Sequence, residues 1–170
     1  MRVYVPVTLG MLAQLVADGS LLPVNGTAFA VTPKLREAYA EGDDDELGEV
    51  ALREAALASL RLLAGAAEDS GQPNDALPRR AVLVADVGDV ALRPDLDDAV
   101  VRLGAPVDID DVVAAFVDNA DAEAQVTAAI AVIDAADLGD EDAELTVGDA
   151  QDHDLAWYAT QELPFLLELL

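Results

Sequence analysis

The sequence predicts an α+β, or mixed α/β, fold: a single domain over residues 1–170, with one mixed sheet of about six strands and four or five helices packed on it. Three observations carry that expectation. Short runs rich in valine and alanine recur along the chain, and four of them lead through Thr or Asp into a helical apolar pattern. A longer stretch, Glu46 to about Ala67, has helical periodicity on its own. Strands and helices in such mixed order describe a sheet with helices laid on it.

The first unit is Val3–Val7, with Thr8 capping a helix through Leu9, Met11, Leu12, Leu15 and Val16 that stops at Asp18-Gly19. Leu22-Pro23-Val24-Asn25-Gly26 reads as a turn. The second unit has Ala28–Val31 as strand, Thr32 as cap, Pro33 at the first helical position and a helix from Leu35 to Ala40. Asp43-Asp44-Asp45 then opens the long helix, since carboxylates suit a helix N-terminus. Its few charges, Glu46, Glu49, Arg53, Glu54 and Arg61, leave most of the circumference apolar, so it should be covered on more than one side.

Residues 68–78 read as a flexible surface loop. Ala81–Ala85 is continuous enough for a central strand, with Ala99–Leu103 as its expected partner. Asp108–Val112 suggests a single helical turn. The third unit is Ala114–Val117 with Asp118 or Asp121 capping a helix that spans 121–137, and the acidic run Asp137–Glu144 reads as a solvated loop. The fourth is Leu155–Ala159, with Thr160 capping Gln161–Leu170.

Composition narrows the function classes. Thirty-four acids against nine bases give a net charge of -25 on a chain that is 53 % hydrophobic, too apolar for a disordered acidic chain. With no cysteine and one histidine, His153, thiol catalysis, disulfides and cysteine- or histidine-rich metal sites are excluded. The charge opposes binding to phosphate backbones and to anionic membrane surfaces, and the start has no signal-peptide pattern, so a cytoplasmic location is expected. The charge is also graded: +1 over residues 1–40, -9 over 41–102 and -17 over 103–170, where no Lys or Arg occurs.

Chemistry-bearing motifs are few. Asp43–Glu54 matches a calcium loop at positions one, three, six, eight and twelve, but Leu47 stands at position five and Ala51 at nine, so a helix start with Leu47, Val50 and Ala51 buried explains it better. His153 between Asp152 and Asp154 lacks a nearby nucleophile, and phosphate-binding glycine loops are absent. No catalytic residue, metal or cofactor is assigned. Among carboxylates, Asp86 and Asp89 matter most, because they follow the strongest strand.

Two apolar features point to binding: the uncharged Ala124–Ile133 and the terminal run Leu163–Leu170, either of which would mark an oligomer or partner contact if exposed. Tyr4, Thr8, Phe29, Thr32, Tyr39, Trp157, Tyr158 and Thr160 cluster at strand ends and helix starts. If those ends share one sheet edge, helix N-termini converge there on a small ligand pocket, with Arg36 and Asp86 as its charged members.

At Arg2–Pro6, Phe29–Tyr39 and Trp157–Leu163 the chain resembles an uncharacterised family of short acidic proteins from GC-rich bacteria, over its whole length. No activity comes with that resemblance. The order of elements, from the first strand and Gly19 through Phe29–Thr32, Ala38-Tyr39, Val82–Asp86 and Gly104–Ile109, is similar to small ADP-ribosyltransferase-like domains. Those enzymes place a His or Arg on the first strand to hold NAD, where this chain has Val3, Tyr4 and Val5, so the resemblance implies the fold with its NAD chemistry lost. The expectation is a non-catalytic protein acting through a protein partner, a second copy or a small ligand. The rival is a carboxylate- or cation-dependent enzyme.

Overall fold

The computed structural model describes residues 1–39, 41–70 and 77–170. In order the elements are β1 (Arg2–Val7), α1 (Leu9–Asp18), β2 (Ser20–Leu21), β3 (Thr27–Phe29), α2 (Pro33–Ala38), α3 (Asp44–Ser70), β4 (Ala81–Asp86) and β5 (Val90–Leu92). Then follow β6 (Val100–Leu103), β7 (Val107–Asp108), β8 (Val112–Val117), α4 (Glu123–Asp137), α5 (Glu141–Gln151), β9 (Ala156–Ala159) and α6 (Leu163–Leu169). No described helix is long and apolar enough to cross a membrane.

The main sheet has seven strands in the order β5-β6-β3-β1-β4-β8-β9, and every pairing is antiparallel. β2 and β7 form a separate ribbon. The sheet is therefore larger than the expected six strands and is not mixed, and the described residues hold six α-helices rather than four or five. Ala99–Leu103 does not pair with β4 either: β6 lies between β3 and β5, while β4 is flanked by β1 and β8. Local sequence carries strand identity but not strand direction or neighbour, which long-range packing decides.

Side chains alternate across the sheet. Val3, Val5, Val7, Leu83 and Ala115 meet Leu9, Leu12 and Leu15 of α1 and Leu163 and Leu166 of α6 on one face. Phe29, Val82 and half-buried Tyr4 and Phe116 meet Leu35 of α2 and Leu47, Ala51 and Ala55 of α3 on the other. With helices on both faces, β4 can be continuously apolar although its neighbours are antiparallel. A third cluster joins Leu60 and Leu63 of α3 to Val126 and Ile133 of α4 and Val147 of α5. The long helix is thus covered on more than one side.

Several local expectations hold. The Thr8 hydroxyl accepts from the Met11 amide at 3.2 Å, worth about 1 kcal/mol, and Gly19 closes α1 at φ 80°. Thr32 caps α2 with Pro33 in its first turn. Asp43 accepts from the Glu46 amide at 2.8 Å, and Leu47 and Ala51 are buried, so Asp43–Glu54 is a helix start and not a calcium loop. Residues 24–26 and 109–111 are 3₁₀ turns.

Others change. Neither Asp118 nor Asp121 caps α4, which is entered through a 3₁₀ turn at Ala120–Ala122. Thr160 caps nothing; its hydroxyl donates to the Val112 carbonyl at 3.0 Å. Most of the acidic run belongs to helices: Asp137 ends α4, and Asp140 caps α5 by accepting from the Ala143 amide, because carboxylates that look solvated also satisfy the free amides of a first turn. Of the expected loop 68–78, residues 68–70 end α3 and 71–76 lie outside the described residues, as does Ala40. Ser59, inside α3 and fully buried, donates to the Val7 carbonyl at 2.7 Å and accepts from the Ala81 amide at 3.0 Å, tying the helix to adjoining ends of β1 and β4.

Candidate functional site

On its face of the sheet α3 packs chiefly on β1, β3 and β4, leaving β8 and β9 beside it. Phe116 and Trp157 are direct partners across those strands, and Trp157 is 57 % exposed. Val84 faces Ala114 and Ala85 faces Val112, so Val113 is an extra residue that bulges into the same space. One stripe of α3, Asp45, Gly48, Glu49 and Leu52, forms the opposite wall. The cleft between them, about 240 Å³, has Tyr4, Val84, Ala114 and Phe116 along its lining.

Two cavities adjoin it. One of about 400 Å³, toward the Arg2 end of β1, shares Arg2, Tyr4, Asp44 and Asp45 with the central cleft and adds Arg36 and Asp86. The other, about 320 Å³, shares Glu49 and Leu52 and reaches Arg53, Gln151, His153 and Leu155. Gly48 makes the middle possible: a Cβ there would lie 2.9 Å from the Tyr4 hydroxyl oxygen. A helix-interior glycine costs up to about 1 kcal/mol against alanine, and here it lets a phenol lie against the helix.

The charges in the cleft fall into two kinds. Arg2 and Asp86, opposite each other in register, form a two-pronged pair at 3.1 and 3.2 Å, both more than half exposed. Arg36 pairs with Asp44. Asp45 and Glu49 have no ion-pair partner among the described residues. Hydrogen bonding from Arg2 holds the Asp86 carboxyl below the usual aspartate value. Burial raises the Tyr4 phenol above its ordinary value, with Arg2 pulling it down and Asp45 pushing it up, so at neutral pH it is a protonated donor. No three described Asp, Glu or His residues converge as a metal site would require.

A second charged constellation closes the far end. Arg80 and Asp118 are buried, with exposures of 1 % and 0 %. Arg80 donates through its backbone amide and Nε to Oδ2 of Asp118, and through Nη2 to Oδ1, each at 2.8 Å. Nη1 reaches Gln151 Oε1 at 2.7 Å, and Nη2 also reaches the His153 carbonyl at 2.9 Å. The Asp expected as a cap is instead the counter-ion that anchors the end of α5.

The expected site residues divide accordingly. Tyr4, Arg36, Asp86 and Trp157 come together around the cleft. Thr8 and Thr32 are caps, and the buried Thr32 hydroxyl also donates to the Asp98 carbonyl. Tyr39 is half exposed beyond α2, Tyr158 packs against the core on the opposite face, and Thr160 bonds β8. The helix starts do not converge: β1 and β3 are antiparallel, so Thr8 and Thr32 sit at opposite ends of the sheet. Missed were Arg2, Asp45, Gly48, Glu49, Val113 and Phe116. A glycine inside an apolar helical pattern was the one local signal available for them.

The apolar stretches expected as contacts are partly core. Val126, Ala129 and Ile133 of α4 and Leu163 and Leu166 of α6 are buried, while Phe165 is 68 % and Leu169 86 % exposed. No curated protein and no solved structure matches the chain. A family profile matches residues 1–167, and the protein accordingly belongs to the family described as a family of unknown function (DUF6912).

Proposed function

We propose that this protein is a non-catalytic, cytoplasmic binding module whose cleft between α3 and the β8–β9 shelf takes a positively charged segment of a partner protein. The observation that carries this reading is the exposed Trp157, paired with half-buried Phe116, standing opposite Asp45 and Glu49. A guanidinium or ammonium over the indole gains about 0.5–1 kcal/mol while exposed and about 2 when desolvated. Carboxylates on the facing wall add charge-assisted hydrogen bonds. Arg2 and Arg36 already hold carboxylates, so the cleft presents net negative charge, as does the molecule at -25. Such a field also steers a basic partner inward, with an association rate that falls as salt rises.

Trp157 is the single tryptophan of the chain and reports on the cleft directly. Titration with an arginine-rich peptide should change its fluorescence saturably, and the double substitution Asp45→Asn, Glu49→Gln should weaken binding about tenfold. A flat titration, or unchanged affinity in the double variant, overturns the reading.

A second reading rests on the 400 Å³ cavity, where Tyr4, Asp45, Arg2 and Arg36 line one space. There a carboxylate-dependent enzyme would use the protonated phenol as proton donor. The openness of the Arg2–Asp86 pair favours binding, because catalytic electrostatics gain their strength where water is excluded. Tyr4→Phe separates the two: binding of the peptide persists, whereas turnover of any substrate would be lost.

A further inference from the structure

We propose that the partner segment binds in extended form, adding to the exposed edge of β9 as an eighth strand; this rests on the cleft reading above. Within the sheet β9 has β8 as its one neighbour. No backbone hydrogen bond from a described residue reaches β9 from its other side. The outward N–H and C=O groups of Ala156–Ala159 are thus a free template for strand pairing.

The two edges of the sheet differ in how they are guarded. β5 has three residues and is followed at once by Arg93, which bonds back to Val100, and by Pro94. Lysine, proline and bulges are the usual devices that stop edge-to-edge pairing. β9 reads Ala-Trp-Tyr-Ala and has none of them; the bulge at Val113 lies on its inner neighbour. Its small alanines leave room for an approaching backbone.

Charge selects the occupant. Asp152 and Asp154 precede β9, Glu162 follows it, and residues 103–170 contain no Lys or Arg. A second copy pairing edge to edge would bring the same carboxylates against these, whereas a basic segment meets them with opposite charge. An added strand lies about 4.8 Å from β9, so its residue beside Trp157 shares the face that carries Phe116 and the cleft. One long cationic side chain there covers the indole and extends toward Glu49, while alternate residues point to the other face. Register thus selects every second residue of the ligand, and four ladder residues suffice to fill the edge.

The probe is an eight-residue peptide alternating arginine and valine, compared with two analogues N-methylated on one or the other alternate set. The unmodified peptide should shift Trp157 fluorescence and slow exchange of the outward β9 amides at least tenfold. One analogue should lose at least tenfold in affinity and the other should bind as the parent does. Equal binding of both analogues, with no added protection at β9, overturns strand addition and leaves the cleft reading standing. No fluorescence response to any of the three overturns both. A free protein that is dimeric in solution, with its β9 amides already protected, assigns the edge to a second copy and overturns the proposal.

Discussion

The two ends of β4 each carry an arginine–aspartate pair, and the pairs behave oppositely. At one end Arg80 and Asp118 are sealed, and each nitrogen of the guanidinium group has an acceptor in the protein. At the other, Arg2 and Asp86 are over half exposed on the rim of the cleft. The chemistry is the same and the burial is not. A buried pair is costly to break because the survivor stays charged in a poor solvent, whereas an exposed pair exchanges protein contacts for water. The sealed pair is architecture; the exposed one is held only weakly against water.

The comparison breaks most sharply at the sealed end. Asp118→Ala should cost about 3–5 kcal/mol and lower the melting temperature by roughly 10 °C, read by urea and thermal unfolding. Arg80→Met with Asp118→Leu should recover most of that loss, since it removes both charges. A cost under about 1 kcal/mol for Asp118→Ala would contradict the assignment.

Between the two ends lies Gly48 against Tyr4. Gly48→Ala alone should gain little, because the new methyl meets the phenol, but in a Tyr4→Phe background it should stabilise by about 1 kcal/mol. Additive effects in that cycle would show that the hydroxyl exerts no pressure on the helix.

The smallest effect is expected at the open end. Asp86→Asn should cost less than about 1 kcal/mol at neutral pH, and the difference should vanish in 1 M salt, where the Debye length is about 3 Å. Its sign with pH follows from the depressed carboxyl. The contribution is fully present above the ordinary aspartate value near 4 and is lost as pH falls through the lower folded value. A difference that does not shrink as pH falls below the ordinary aspartate value would contradict the pairing.

What the sequence made legible was local. Thr8 and Thr32 announce their helices because a cap bonds an amide three residues on, and Asp43–Glu54 reveals its buried face through Leu47 and Ala51. Hidden were the features that depend on register. Phe116 and Trp157 become neighbours only when β8 pairs β9, and Asp118 finds Arg80 from 38 positions along the chain. Tyr4 and Asp86 were expected at one pocket through converging helix starts, whereas what joins them is the pairing of β1 with β4, which is set by packing around α3. The expectation of helix starts on one edge failed for the same reason: the strand-to-helix pattern reads alike in parallel and antiparallel sheets.

The middle position of the sheet is held by β1, the earliest strand in chain order, and both its neighbours come later, β4 about eighty residues on. During synthesis β3 is available to β1 early, but the pairing of Arg2–Val7 along its whole length with Ala81–Asp86 must wait until β4 has emerged from the ribosome. Nucleation is consequently long-range, the class of topology that folds slowly and leaves apolar strands at risk of association in the meantime.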